Sequence, residues 1–154
     1  MTKSKNKLWQ KDLSVNTEID QFTVGMDRVL DLLLAKYDVF GSMAHIKMLT
    51  SIGLIKENEL DVLSKALSDI HKEIENGSFI LEDGVEDVHS QIELMLTRKL
   101  GDTGKKIHSG RSRNDQVLLD LKMFMRSEIF ELVQLIHQLF DRLISLSNQH
   151  KDIL

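Results

Sequence analysis

Cysteine and proline are both absent from this 154-residue chain. Without cysteine the chain forms no disulfide and offers no thiolate to a metal ion, so disulfide-stabilised domains and zinc fingers are excluded. Proline interrupts a helix because it lacks the backbone N–H group and clashes with the preceding turn. Its absence therefore permits long helices throughout the chain.

Aromatic residues and long apolar runs are scarce. Aromatic side chains make up 5% of the residues, and the most apolar short run, "VLDLLLA", is interrupted by Asp31. The basic N-terminus is not followed by an apolar segment of signal-peptide length. The formal net charge is −4, whereas binding to nucleic acid requires a basic face. We therefore expect a cytoplasmic protein that binds neither nucleic acid nor membranes.

Apolar residues recur at three- and four-residue steps along most of the chain, which is typical of helices. The spacing predicts helices over about Thr17–Tyr37 and Val39–Ile52, and again over Leu60–Ile74 and Val88–Leu100. No segment alternates convincingly with the two-residue period of a strand. The sequence therefore predicts an all-α fold.

The most regular apolar pattern follows Asn114. Its members are alternately four and three residues apart, as in a coiled coil: Met125, Ile129, Leu132, Ile136, Leu139, Leu143 and Leu146. A second apolar set lies off this seam: Leu121, Phe124, Leu135, Phe140 and Ile144. A helix of roughly 35 residues is about 50 Å long, and one that is apolar on more than one face must be covered by other helices. We expect self-association, a longer polypeptide, or both.

These patterns divide the chain into an N-terminal helical domain, residues 1–114, and the first long helix of a central helical bundle, residues 115–154. The first domain ends in an irregular segment, 101–114, that concentrates cations: Lys105, Lys106, Arg111 and Arg113. Asn114 and Asp115 are good N-cap residues, so the segment leads into the start of a helix, where free N–H groups attract anions. The pattern predicts an anion site, although the spacing of a nucleotide-binding P-loop is absent.

Other polar residues have both a structural and a functional interpretation. Asp87 starts a predicted helix, so it either caps that helix or belongs to a site with His89. A metal shared by these two is disfavoured, because residues two apart on a helix do not share a face. Asp27 and Asp31 are four apart and do share one, either as exposed charges or as an acid–base pair. His45 is typical of a packed or capping side chain, and these alternatives stay open.

Three stretches resemble the argininosuccinate lyase family of the aspartase/fumarase superfamily. "GKKIHSGRSRNDQV", starting at Gly104, is highly specific to that family, and "DVFGSMAHIKML" and "EDVHSQIE" precede it in the family's order and spacing. The resemblance implies reversible cleavage of argininosuccinate to arginine and fumarate, in arginine biosynthesis, without a metal or organic cofactor. In this anti elimination a base removes a proton, negative charge builds on a carboxylate, and an acid protonates the departing guanidinium, so donors that tighten in the transition state are needed.

The resemblance also implies roles for individual residues. Ser112, Arg113 and Asn114 match residues that hold the substrate. Asp87 and His89 match a loop that lines the active-site cleft. Asp31, in the first predicted helix, matches a carboxylate that meets the cationic end of the substrate.

The chain departs from the family pattern in two places. Asp27 stands where many members have serine, and an ionised carboxylate cannot donate to a substrate carboxylate, so no role is carried over to it. The chain is also much shorter than usual members. The Thr-x-x-His motif and the flexible serine loop, which carry the family's acid and base, are expected beyond Leu154. We therefore expect no catalytic acid or base within this chain, and no activity from it alone.

The resemblance further implies a homotetramer whose active sites each combine three subunits. Two other classes of protein remain as alternatives: a catalytically inert oligomerisation module, comparable to the eye-lens crystallins of this superfamily, and an anion- or RNA-binding helical domain. The presence of "SRND" together with "EDVH" favours the enzyme. The RNA alternative lacks aromatic stacking partners near the basic segment.

Overall fold

The computed structural model describes residues 19, 22 and 25–153, and all regular structure among them is helical. In chain order the elements are α1 Asp27–Asp31, a 3-10 turn Leu32–Leu34, α2 Ala35–Ser51, α3 Glu57–Glu75, α4 Val88–Leu100, α5 Asp102–Lys105, a second 3-10 turn Lys106–His108, and α6 Arg113–Gln149. The all-α prediction is confirmed. Within these residues, no helix combines the length and apolar character that a membrane span requires.

The hydrophobic core lies between α2, α3 and α4. Its largest apolar side chains are at most 1% exposed: Ile46, Leu49, Leu63, Leu67, Ile92 and Leu96. They recur at three- and four-residue steps, so each helix turns one apolar face inward. Burying a side chain of this size contributes about 1.5 to 3 kcal/mol. This core fixes the three helices, and with them the polar residues at their ends.

The predicted helix boundaries agree with the structure in the middle of the chain and fail elsewhere. α3 and α4 confirm the predicted helices Leu60–Ile74 and Val88–Leu100. The predicted break between residues 37 and 39 is wrong, because α2 runs through it and no glycine or proline is present there to end a helix. The segment 101–114 is also not wholly irregular, since it contains α5 and the second 3-10 turn.

Part of the first predicted helix, and the N-terminal residues before it, lie outside the described residues. Among its described residues, Gly25 and Met26 form a turn in which Gly25 has a φ of 52°, and α1 and the first 3-10 turn then continue into α2. The predicted continuous helix is therefore wrong at this turn, because a positive φ interrupts a right-handed helix. The proposed domain boundary at residue 114 stays a prediction. The long helix itself begins at Arg113, within the predicted binding segment.

The long helix α6 meets the rest of the described chain near its start, where it crosses α2. A Cβ atom added to Gly41 would lie 2.8 Å from Cδ2 of Leu119, so glycine at this position permits the close approach. Beyond the crossing, the apolar seam is open, with Met125, Ile129, Leu132, Ile136, Leu139 and Leu143 each 51–61% exposed. The prediction that α6 is apolar on more than one face and only partly covered therefore holds for the described residues.

Candidate functional site

Several of the predicted site residues meet at the N-terminus of α4. Asp87 is the N-cap residue, and its Oδ1 accepts a hydrogen bond from the N–H of Ser90 at 2.7 Å. The other carboxylate oxygen of Asp87 lies 3.0 Å from Nε of Arg113. Asp31 reaches the same turn, where its Oδ2 accepts from the N–H of Val88 at 2.6 Å. Two carboxylates and a guanidinium therefore converge on the positive end of one helix.

Arg113 is held by three side chains from two helices. Besides the ion pair with Asp87, its Nη2 donates to Oγ of Ser90 at 2.9 Å and its Nη1 donates to Oε1 of Gln116 at 3.2 Å. The side chain keeps 33% of its surface exposed. The guanidinium is thus fixed in position while part of it remains accessible to a ligand.

The start of α6 is set by Ser112, which is its N-cap residue. Oδ2 of Asp115 accepts from the N–H of Ser112 at 2.7 Å, and Oγ of Ser112 accepts from the N–H of Asp115 at 3.4 Å. The prediction that Asn114 or Asp115 caps the helix was wrong, because this reciprocal pair moves the helix start to Arg113. Asn114 lies in the first turn and is exposed.

The basic segment is attached to α2 by two contacts. Nε2 of His45 lies 2.8 Å from the carbonyl oxygen of Ser109, so the ring donates a hydrogen bond to the loop. Nη2 of Arg111 donates to Oγ of Ser42 at 2.8 Å. His45 is therefore a capping side chain of the kind expected. Burial, which outweighs this hydrogen bond, lowers the pKa of His45.

The two lysines of the segment also have partners within the chain. Nζ of Lys105 lies 2.7 Å from Oδ1 of Asp102, and Nζ of Lys106 lies 2.6 Å from Oε1 of Glu59. Because these cations pair with neighbouring carboxylates, they stabilise the segment and do not form an unpaired basic patch.

His89 points into the protein, away from the surface on which Asp87 lies. Its side chain is 1% exposed, and its Nδ1 lies 3.0 Å from Oδ1 of Asp38 and 3.6 Å from Oδ2 of Asp120. Nε2 of Gln116 donates to Oδ1 of Asp38 at 3.1 Å. We call Asp38, His89 and Asp120 the buried cluster. It joins α2, α4 and α6 directly beneath the candidate site.

The groups of the buried cluster have shifted pKa values. Burial favours the neutral form of Asp38, but its pairing with His89 and the nearby charge of Arg111 hold the pKa of Asp38 below its usual value. Burial opposes the charge on His89, yet pairing with Asp38 raises the pKa of His89. Burial, followed by repulsion from Asp38, raises the pKa of Asp120 to about 7.

Asp31 has a shifted pKa as well. Burial raises the pKa of Asp31, although the hydrogen bond from the N–H of Val88 works in the opposite direction. Asp27, four residues earlier, is exposed at the start of α1. Although these two carboxylates were predicted to share one helix face, Asp27 is exposed and Asp31 is partly buried.

The buried cluster is the one group of potential metal ligands among the described residues whose ligand atoms all lie within 4.8 Å of one another. Two cationic groups, His89 and Arg111, face the two carboxyl groups of this cluster. A divalent ion would have to displace the proton of His89 and lie beside Arg111. We therefore interpret the group as a charge cluster and not as a metal site.

Asp38 and Asp120 were not among the predicted site residues. A signal was present, since Asp38 and Ser42 are four residues apart on α2, and Gln116 and Asp120 are four apart on α6. Each pair therefore lies on one face of its helix, and all four residues are buried. Polar residues repeated along a core-facing side indicate a buried network, because buried polar groups need partners.

Comparison with known proteins gives one consistent result. A family model described as lyase matches residues 7–154. The chain is 66% identical over 148 residues to the argininosuccinate lyase of Parabacteroides distasonis and 64% identical over 148 residues to that of Phocaeicola vulgatus, which covers 96% of this chain in each case. It is 41% identical over 133 residues, or 86% of this chain, to the argininosuccinate lyase of Thermotoga neapolitana. The matches cover 33% of each relative, so the chain spans about a third of their length.

Substitution of Asp87 separates its two contacts. Asp87→Asn keeps an oxygen that caps α4 but loses the charge that faces Arg113, whereas Asp87→Ala loses both contacts. We expect Asp87→Ala to lower the free energy of unfolding by about 1 to 3 kcal/mol and Asp87→Asn by about 1 kcal/mol or less, because the ion pair is partly exposed. Urea unfolding at neutral pH measures both losses.

Glu86→Ala is the matched control for these variants, since Glu86 is exposed in the same loop. It should change the free energy of unfolding by no more than about 0.5 kcal/mol. Equal losses in Asp87→Asn and Asp87→Ala would contradict the assignment of Asp87 as a cap.

Proposed function

We propose that this chain, which belongs to the lyase family, forms the N-terminal part of an argininosuccinate lyase that cleaves argininosuccinate reversibly to arginine and fumarate. The observation that carries the proposal is the convergence of Asp31, Asp87 and Arg113 on the start of α4, next to Ser112 and Asn114. The similarity to enzymes that bear this name supports it. The cytoplasmic location expected from the sequence stays a prediction.

The anionic succinyl part of the substrate fits the start of α6. The free N–H groups of the first turn, the amide of Asn114 and the exposed edge of Arg113 are all donors. The hydroxyl of Ser112 donates to Oδ2 of Asp115 at 3.0 Å, so it would have to leave that carboxylate to donate to a ligand. Elimination builds negative charge on a carboxylate, and donors that are already positioned stabilise that charge without reorganising. Asp87, Ser90 and Gln116 keep Arg113 in place before any ligand arrives.

The cationic end of the substrate fits Asp31. Burial favours the neutral form of this carboxyl group, and an approaching guanidinium would favour its ionised form. Binding of a cation and ionisation of Asp31 therefore support each other. We assign no role to Asp27.

Other groups that the proposed activity needs lie away from the binding residues at the starts of α4 and α6. His89, predicted to bind substrate, is buried, so we propose that it supports Asp87 from inside the helix start. We propose that the acid and base come from outside residues 1–154, and that neither metal nor cofactor takes part. The homotetramer, in which α6 packs against helices of other subunits, is supported by the open apolar seam.

A chimeric enzyme tests the proposed activity. We expect an argininosuccinate lyase of Parabacteroides distasonis, in which the 148 aligned residues are replaced by those of this chain, to release fumarate from argininosuccinate at a rate comparable to the parent. The reason is that the substrate-binding groups are present and the relative supplies the acid and base. Fumarate absorbance measures the rate, and the 154-residue chain alone is the control that should be inactive. A folded chimera without activity would instead favour the inert oligomerisation module.

Arg113→Lys in that chimera tests the binding site. Lysine replaces a planar fork by a single point donor, which loses the contacts that strengthen as charge develops. We expect kcat/KM to fall by about 10²- to 10³-fold, with little change in thermal stability. Arg98→Lys is the matched control, because Arg98 pairs with Glu82 on the surface. Unchanged kinetics in Arg113→Lys would show that Arg113 only braces the loop.

The open apolar seam of α6 predicts self-association of this chain. Each large apolar side chain in water forfeits about 1.5 to 3 kcal/mol of burial, so we expect an interface larger than about 1,600 Å². Sedimentation equilibrium should show an oligomer that the double change Leu132→Asp and Leu139→Asp dissociates. Adding the same two charges at polar positions, with Gln134→Asp and Gln138→Asp, should leave it assembled. A folded monomer at micromolar concentration would refute the prediction.

A further inference from the structure

The two carboxyl groups of the buried cluster differ in their hydrogen-bond partners. Asp38 accepts a hydrogen bond from Gln116 and lies 3.0 Å from Nδ1 of His89. Asp120 is equally buried, but neither of its oxygens has a hydrogen-bond partner among the described residues. Its nearer contact with His89 is 3.6 Å, which is too long for a hydrogen bond. Asp38 therefore holds the negative charge that the donors stabilise.

A second buried negative charge at Asp120 would be costly. An ionised carboxylate without a donor pays the full desolvation cost. Asp38 from α2 and Asp31 from α1 add repulsion, whereas His89 from α4 and Arg111 from the basic segment oppose it. We propose that Asp120 keeps a proton in the folded chain up to neutral pH, and that this neutral acid makes the junction of α6 with α2 and α4 sensitive to pH.

The direction of the pH effect follows from the two states of the chain. The pKa of Asp120 rises from 3.8 to about 7 on folding. Between these values the folded chain binds a proton that the unfolded chain has released, so stability falls as pH rises through this window. His89 also has a raised pKa, so its contribution to the stability of the folded chain is lost as pH rises through its folded pKa. Asp38, whose pKa is lowered, loses its contribution only as pH falls through its folded pKa.

The junction also carries the basic segment. Arg111 faces Asp38 and Asp120 and donates to Ser42 of α2, and the next residue, Ser112, caps α6. Ionisation of Asp120 changes the charge next to Arg111. Asp120 is therefore a positioning residue for the segment, and this inference holds whether or not the chain belongs to an active lyase.

The test compares the 154-residue chain with Asp120→Asn, which has the shape of the neutral acid and cannot ionise. Urea unfolding from roughly pH 5 to roughly pH 8 should show the wild-type folding constant falling by on the order of a hundredfold relative to Asp120→Asn. Asp141→Asn, which removes an exposed carboxylate of the same helix, should follow the wild-type profile. Parallel profiles of the wild type and Asp120→Asn would overturn the proposal.

A second measurement needs no variant to fold. The carboxyl carbon of Asp120, observed by NMR in the wild-type chain, should titrate near neutral pH, and a midpoint in the usual aspartate range would overturn the proposal. Metal analysis after dialysis against zinc gives a third outcome. A stoichiometric ion that Asp120→Asn fails to bind would also overturn it, because a ligating carboxylate is ionised.

Discussion

The contact between Asp38 and His89 is the interaction on which the candidate site depends. It ties α2 to the first turn of α4, and Gln116 extends the tie to α6. A buried ion pair is favourable only when further donors satisfy it. Gln116 and the charge of Arg111 support Asp38, whereas Nε2 of His89 has no hydrogen-bond partner among the described residues. Loss of Asp38 would leave His89 buried without its counter-ion, so the helix start that carries Asp87 would lose its support.

The first turn of α4 therefore has one side in the candidate site and one side in the protein interior. Successive residues of a helix are about 100° apart, so Asp87 and Ser90 face Arg113 and the solvent side while His89 faces inward. The charged groups behind the turn have their partners within the protein. Those in front are partly exposed, and Arg113 is fixed there by three neighbours. The arrangement separates the groups that stabilise the fold from the groups that are available to a ligand.

Much of this organisation could be predicted from sequence, and the failures have physical causes. The three- and four-residue spacing predicted α3 and α4, because their apolar faces pack into the core. The same spacing predicted a false break near Tyr37. The apolar face of the helix shifts there, but no residue that ends a helix is present. The cap at Ser112 depends on its reciprocal hydrogen bonds with Asp115, whereas the sequence predicted Asn114 or Asp115 as the cap. The role of Asp120 was not predicted, because its neighbours Asp31, Asp38 and His89 come from distant parts of the chain.

The long helix lies in two environments, and only the first is provided by the described residues. Up to Asp120 its inner face is buried against α2 and the cluster. Farther along, the apolar side chains have no cover among those residues. A helix gains most of its stability in proteins from packing of its apolar face, and the net stability of a domain is only about 5 to 15 kcal/mol. The second part of α6 must therefore be stabilised by other helices, whereas the charge cluster at its start holds the site in place from within.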